Sequence, residues 1–274
     1  MLARATTEAV LDRLGFSDAP APDLDGLGAV YLAWCHNVPF DNVIKRIHLV
    51  SGDPAPIPNG PPEAFFARYL RHGTGGTCWP SSGGLHALLV ALGFDARRGS
   101  ASMRDDIGGK VHTHGTVLVR CDGVDYWVDS SMLTERVFPV CPGTEFALDD
   151  PIHAVRVEPV DDLWRVHWTH PFLPEMLGCL LLDDDVTEQH YLDRYEWSRG
   201  TSPFNTFLNA TRDSTGRRTT IAFGQRFDRT ADGVNSAPLE HDERTRVLVE
   251  EYGYSEEIVA ALPPDDARPV PSKP

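Results

Sequence analysis

Three side chains of this 274-residue chain could together activate a nucleophile: Cys78, His114 and Asp129. Cys78 follows a glycine-bearing stretch, His72-Gly73-Thr74-Gly75-Gly76-Thr77. Beyond it, Leu85, Leu88, Leu89 and Leu92 recur at helical spacing up to Gly93, where a C-terminal cap belongs. The spacing predicts a helix starting at Pro80 or Ser81, which sets the thiol just ahead of a helix N-terminus. Unpaired N–H groups and the positive dipole end there favour thiolate over thiol, and glycine lets backbone approach the sulfur closely. The competing reading is burial as a small apolar residue, the common state of a free cysteine.

The β-rich segments Val111–Cys121 and Val124–Val128 supply context. They are joined by Asp122-Gly123, a strong hairpin signal. With a two-residue turn, position 121 faces 124, 119 faces 126 and 116 faces 129. His114 and Asp129 then become diagonal neighbours on one face, about 7–8 Å apart at the backbone. His112 shares that face one pair further off, and a one-residue change in the turn would put His114 and Asp129 on opposite faces. A carboxylate that holds a histidine, beside a thiol, is what an activated cysteine requires: the base takes the proton and the acid fixes its tautomer. The plain alternative makes His112 and His114 strand residues and Asp129 a strand-end turn residue. His-x-His can bind zinc, but no nearby third ligand has useful spacing, so no metal site is assigned. Trp164–His170 reads as an amphipathic strand rather than a ligand set. The stretch before Cys78 lacks the Gly-Lys-Ser/Thr of a phosphate loop.

The elements that must hold these groups run in the order helices, strands, mixed unit. The first 50 residues read as helical, Ser51–Pro62 as a loop with five prolines, and Pro62-Glu63 as the first turn of a helix through Arg71. From Val111 to Pro174 the texture is β, with further strands at His153–Glu158 and Trp164–His170. Beyond Val186, Glu188–Glu196 and Asp242–Glu251 read as helices, Thr219–Phe227 as a strand, and Pro263–Pro274 as a frayed tail. This order argues against an alternating doubly wound sheet. The 25 Lys+Arg against 40 Asp+Glu leave a charge of −15, a field that repels nucleic acid and anionic membranes. Five cysteines without C-x-x-C spacing and no readable export signal point to reduced thiols in the cytoplasm, and no apolar run approaches a membrane span. The Asn209-Ala210-Thr211 sequon then reads as a chance match.

As a set, these residues resemble the arylamine N-acetyltransferases. Val38-Pro39-Phe40-Asp41-Asn42 is similar to the family's Val-Pro-Phe-Glu-Asn, and Gly75-Gly76-Thr77-Cys78 with Leu85…Leu92-Gly93-Phe94 to its Arg-Gly-Gly-Tyr-Cys segment and following helix. His114 and Val128-Asp129 match its His and Val-Asp pair, and Thr201-Ser202-Pro203-Phe204 its Ser-Pro-Phe. Thr74 stands at the family's Arg, Trp79-Pro80-Ser81-Ser82-Gly83 follows the cysteine, and Asp129 is followed by Ser130-Ser131-Met132, not by the family's glycine-rich Val-Gly-Phe-Gly type of sequence.

The resemblance implies a multidomain α+β fold with a cysteine-protease- or transglutaminase-like core. Residues 1–95 would form a helical bundle, 96–185 an antiparallel β-barrel-like domain, 186–262 an α/β lid and 263–274 a disordered tail. It also implies that Cys78, His114 and Asp129 form a triad passing an acyl group from a thioester, as acyl-Cys, to a small-molecule amine. Acyl-CoA is the expected co-substrate, with no resident cofactor. A natural-product amide synthase using an acyl carrier protein, a thiol hydrolase or transglutaminase-like enzyme, and a non-catalytic binding protein are the alternatives. Phe40, Trp79, Thr113 and Phe204 are the candidate substrate contacts, the aromatic ones also reading as core residues. Arg97, Arg98, Arg104, Arg217 and Arg218 are the candidates for a basic patch toward the donor.

Overall fold

The computed structural model describes residues 2–103, 109–140 and 145–265. Five helices come first: α1 Arg4–Leu14, α2 Leu24–Asn37, α3 Val43–Ser51, α4 Pro62–His72 and α5 Cys78–Ala91. Asp23 caps α2 by accepting from the Gly26 amide, and α4 opens on Pro62 with Glu63 in its first turn. Every residue of α5 from Trp79 to Leu89 is buried, Ser81, Ser82 and His86 included, so the helix runs through the centre of the fold. It begins at Cys78 itself, two to three residues earlier than the leucine spacing predicts. The sulfur therefore belongs to the first helical turn.

Eight strands form one antiparallel sheet: β2 Asp95–Met103, β3 His114–Cys121, β4 Val124–Val128, β5 Phe138–Pro139, β6 Phe146–Leu148, β7 Val155–Val160, β8 Leu163–Thr169 and β9 Met176–Asp183. They lie in the order β5-β4-β3-β2-β9-β8-β7-β6. Its two edge strands meet through the rings of Phe138 and Phe146, 5.9 Å apart, so the sheet is a nearly closed barrel. The β3–β4 hairpin has the expected register, Cys121 opposite Val124 and Val119 opposite Tyr126. Asp122 and Gly123 turn with φ of 49° and 81°.

Strand β3 is buried on both faces. Val117 and Val119 enter the core of the helices, while Leu118 enters the barrel core with Trp127. With a side-chain period of two, this double burial leaves β3 no room to slip, and the parity of His114 puts it on the Leu118 face.

The remaining elements are α6 Glu188–Thr201, a 3-10 turn Pro203–Asn205, β10 Asn209–Ser214, β11 Arg217–Ala222, β12 Gln225–Thr230, β13 Gly233–Pro238, α7 His241–Glu250 and α8 Glu256–Ala260. Where one strand was expected over Thr219–Phe227 there is a hairpin, turning at Phe223 and Gly224 with φ of 56° and 69°. The first 50 residues are not wholly helical either: Phe40–Asp41 forms β1, the edge of the five-stranded sheet β1-β10-β11-β12-β13. The start of the expected tail is anchored, since buried Asp265 pairs with Arg46 at 2.8 Å and accepts from the Leu208 amide. Positions 266–274 lie outside the described residues. No helix among the described residues is long and apolar enough to cross a membrane.

Candidate active site

The turn that leads into Cys78 is shaped by the Val38–Asn42 stretch. Gly75 lies so close to that chain that a Cβ on it would stand 1.7 Å from the Pro39 carbonyl oxygen, so no side chain fits there. The Gly75 amide donates to Asp41 Oδ2 at 2.7 Å, the Asp41 amide donates to the Gly76 carbonyl, and Asn59 holds the Gly75 carbonyl at 2.9 Å. Asp41 also accepts from the Val43 amide and the Tyr254 hydroxyl. Burial nevertheless raises its carboxyl to about 6, against the pull of those donors. Asn42 extends the same brace, donating to the carbonyls of Phe204 and Phe207 and accepting from the Asn209 amide. The motif thus ties the turn before Cys78 to the C-terminal sheet.

Cys78 is half-buried, its sulfur 3.9 Å from the Thr113 carbonyl. His114 and Asp129 meet as the hairpin parity predicts, with His114 Nε2 2.7 Å from Asp129 Oδ2. The other ring nitrogen, Nδ1, is left for the thiol, which lies close enough to act on the charge of the ring. Burial disfavours the imidazolium, but Asp129 and the thiol outweigh it and raise His114 to about 10. Burial likewise opposes a charged Asp129, and His114 with two backbone amides holds that carboxyl below its ordinary range. Those amides are Ser131 N–H and Met132 N–H, at 2.8 and 3.0 Å from Oδ1, and the Trp127 indole donates to Oδ2 at 3.3 Å. Trp168 stacks on the imidazole, with centroids 6.4 Å apart. His112 instead points to the Ser100 hydroxyl at 2.8 Å and takes no part.

The four candidate contact residues differ in placement. Phe40 and Phe204 meet edge to face at 5.4 Å. Trp79 is buried against Tyr191 of α6, centroids 5.1 Å apart, in the cluster on which Cys78 packs. Gly115 makes room for it, because a Cβ there would stand 2.7 Å from the indole. Thr113 turns its hydroxyl to the Met103 amide, so its carbonyl, not its side chain, faces the sulfur. The arginines do not gather into a basic patch. Arg97 pairs with Asp125 and Asp184, Arg98 with Glu188, Arg217 with Glu251, and buried Arg218 with Asp213, while Arg104 lies outside the described residues.

Sequence reasoning missed Lys45, buried on α3. Its ammonium donates to Ser198 Oγ at 2.8 Å and lies 5.9 Å from the Tyr195 ring centroid, in the cluster that Cys78 packs against. Burial lowers Lys45 to about 8, and the charge of Cys78 acts on it in the opposite direction. A lysine beside Arg46 and His48 in α3 carries no signal of such a location. The pinning of the turn before Cys78 by Asp41 was equally unreadable.

The family model described as N-acetyltransferase matches residues 23–161, which contain Cys78, His114 and Asp129. An arylamine N-acetyltransferase of Mycolicibacterium smegmatis is 31% identical over 125 residues, a stretch that spans 43% of this chain and 43% of that relative. The arylamine N-acetyltransferase of Salmonella typhimurium shares the fold with a TM-score of 0.79 at 17% identity, over 95% of this chain and 98% of that one. That of Mycobacterium marinum, solved in complex with CoA, superposes with a TM-score of 0.78 at 17% identity, over 93% of this chain and 98% of that one. With half of its length matched by the family model and the fold shared end to end, the chain belongs to the arylamine N-acetyltransferase family.

Proposed function

We propose that this protein moves an acyl group from a coenzyme A thioester to an amine through an acyl-cysteine at Cys78, with His114 and Asp129 as the other triad members. The observation that carries this reading is the His114–Asp129 hydrogen bond, buried beside a half-open thiol on the first turn of a helix. Nδ1 of His114 takes the Cys78 proton, and the sulfur attacks the thioester carbonyl. Coenzyme A leaves as its thiol, carrying that proton away. The amine nitrogen then attacks the acyl-Cys78 carbonyl, the new amide bond forms as the C–S bond breaks, and the amine's surplus proton returns through His114 to the sulfur. Asp129 holds the tautomer and the imidazolium throughout.

The same proposal takes in a core of cysteine-protease or transglutaminase type, the division at residues 95, 185 and 262, and a cytoplasmic setting. Phe40 and Phe204, joined ring to ring, are its apolar contacts for the acceptor, with Trp79 and Thr113 beside the sulfur. The M. marinum relative's complex with CoA supports the choice of donor. Intact-mass spectrometry with acetyl-CoA and longer acyl-CoAs tests the reading. One acyl mass should be added to the protein, none to Cys78→Ser, and a primary arylamine should discharge it as amide. Loading without amine-dependent discharge would mark a thioester hydrolase. Loading only from carrier-bound thioesters would overturn the coenzyme A assignment.

A further inference from the structure

Behind Asp129 lies a second buried polar cluster. Ligand atoms of Glu135, His153 and Asp213 fall within 4.8 Å of one another, a grouping that could hold a cation. That cation is already supplied by the protein: the guanidinium of Arg218, on β11, is 2% exposed and grips Asp213 with Nε at 2.7 Å and Nη2 at 2.9 Å. The same Nη2 reaches out of the sheet to the carbonyls of Met132 and Leu133, at 2.9 and 2.5 Å, and to His153 Nδ1 at 3.2 Å. Met132 is also one of the two residues whose amides hold Asp129 Oδ1.

The segment being held is strained. Leu133 adopts φ of 50° and Glu135 φ of 57°, left-handed backbone that a side chain with a Cβ disfavours. Leu133 is fully buried in the helical core. A glycine would take this turn without help, whereas leucine needs partners that over-determine it. Two come from distant parts of the chain. The Tyr31 hydroxyl, on α2, donates to the Asp129 carbonyl at 2.7 Å and accepts from the Thr134 amide, and Arg218 takes the carbonyls on the other side.

We infer that Arg218 is a positioning residue for Asp129: paired to Asp213, its guanidinium clamps the Met132–Leu133 turn whose amide aims the catalytic carboxylate at His114. The inference rests on the proposed triad. Lysine at this position could set one ammonium near the place of Nη2 but would lose the second prong, Nε on Asp213 Oδ1, because an ammonium lacks the planar fork that fixes the guanidinium's orientation.

The test is the pH profile of Cys78 alkylation by iodoacetamide on the full chain, with thermal unfolding in parallel, for wild type, Asp129→Asn and Arg218→Lys. Arg218→Lys is expected to slow alkylation at neutral pH about tenfold, a loss of about 1.4 kcal/mol by that conversion. It should also lower the alkaline limb of the profile in the same direction as Asp129→Asn, by less. A merely structural arginine would lower the melting temperature and leave the profile of the folded protein in place. The neutral pair Asp213→Asn/Arg218→Gln is measured alongside and decides the matter if Arg218→Lys does not fold. If Asp129→Asn shifts the profile and neither Arg218 variant does, the positioning role is overturned while the triad stands. If Asp129→Asn itself shifts nothing, the triad fails, and this inference with it.

Discussion

At the Asp129 end of the site both carboxylate oxygens are occupied, Oδ1 by two amides and Oδ2 by His114 and the Trp127 indole, and the group is 1% exposed. At the Cys78 end the sulfur is half-buried, 3.9 Å from the Thr113 carbonyl, packed against the Trp79–Tyr191 cluster and near enough to the imidazole to act on its charge. Departures from the pattern that the chain resembles lie at both ends: Thr74 and Trp79 to Ser82 on either side of Cys78, and Ser130 to Met132 after Asp129, where the Ser131 and Met132 backbone amides rather than side chains hold the carboxylate. Buried charge must be fully partnered, so the acid–base pair allows little variation. A nucleophile has to stay reachable, and the walls around it can change with the substrate. The fully partnered carboxylate and the half-buried thiol therefore sit at opposite ends of one line of groups.

The hardest way to break that line is at its closed end. Asp129→Asn keeps the shape but puts an N–H where His114 expects an acceptor, and acyl transfer should fall by about 10³–10⁴-fold. The same variant tests the pair's contribution to stability. His114 is raised from 6.5 to about 10, so its pairing stabilises the fold fully below about 6.5, weakens as pH rises, and is gone above about 10. Asp129 is lowered, so the pair is also lost in acid as that carboxyl protonates. The wild-type melting temperature should thus drop between about pH 6.5 and 10, and the drop should flatten in Asp129→Asn. A parallel drop in both proteins would mean that the pair is not charged in the fold.

A smaller effect is expected at the turn that presents the sulfur. Asp41→Asn turns an N–H toward the Gly75 amide and loses a charge-assisted hydrogen bond worth about 1.5–3 kcal/mol. Cys78 alkylation should slow by about tenfold as the Gly75–Thr77 turn loosens. If the melting temperature falls while the alkylation rate holds, Asp41 braces the fold and not the nucleophile.

What could be read in the sequence was local. The Asp122-Gly123 turn fixes hairpin parity within a few residues, so the meeting of His114 with Asp129 followed from turn chemistry alone. The spacing puts the start of α5 late because Pro80 and Ser81 look like a helix entry, whereas the helix already begins after Thr77, whose carbonyl accepts from the Ser81 amide and whose side chain makes no capping hydrogen bond. The β11–β12 turn was unreadable for a related reason. Phe223, an apolar aromatic, occupies a left-handed position that sequence patterns reserve for glycine or asparagine. The long-range parts carried no signal at all. Arg218 reaches a carbonyl 85 positions away, and Asp265 anchors to Arg46 across 219. Such contacts depend on how sheets and helices pack, which neither periodicity nor composition records.

Lys45 offers the finest test of the contrast, because it is a buried charge placed at the open end. Burial lowers its ammonium to about 8, so the fold disfavours the charged form that it carries at neutral pH. Its hydrogen bonds, to the Ser198 hydroxyl and carbonyl at 2.8 and 3.2 Å, offset only part of that cost. Lys45→Met should therefore raise the melting temperature at pH 7 while slowing Cys78 alkylation about threefold, through loss of a nearby positive charge that favours the thiolate. Because wild-type Lys45 loses its proton around pH 8, the rate difference should shrink as pH rises past that value. A threefold gap that persists at about pH 9.5 would mean that the methylene chain, and not the charge, shapes the sulfur's surroundings.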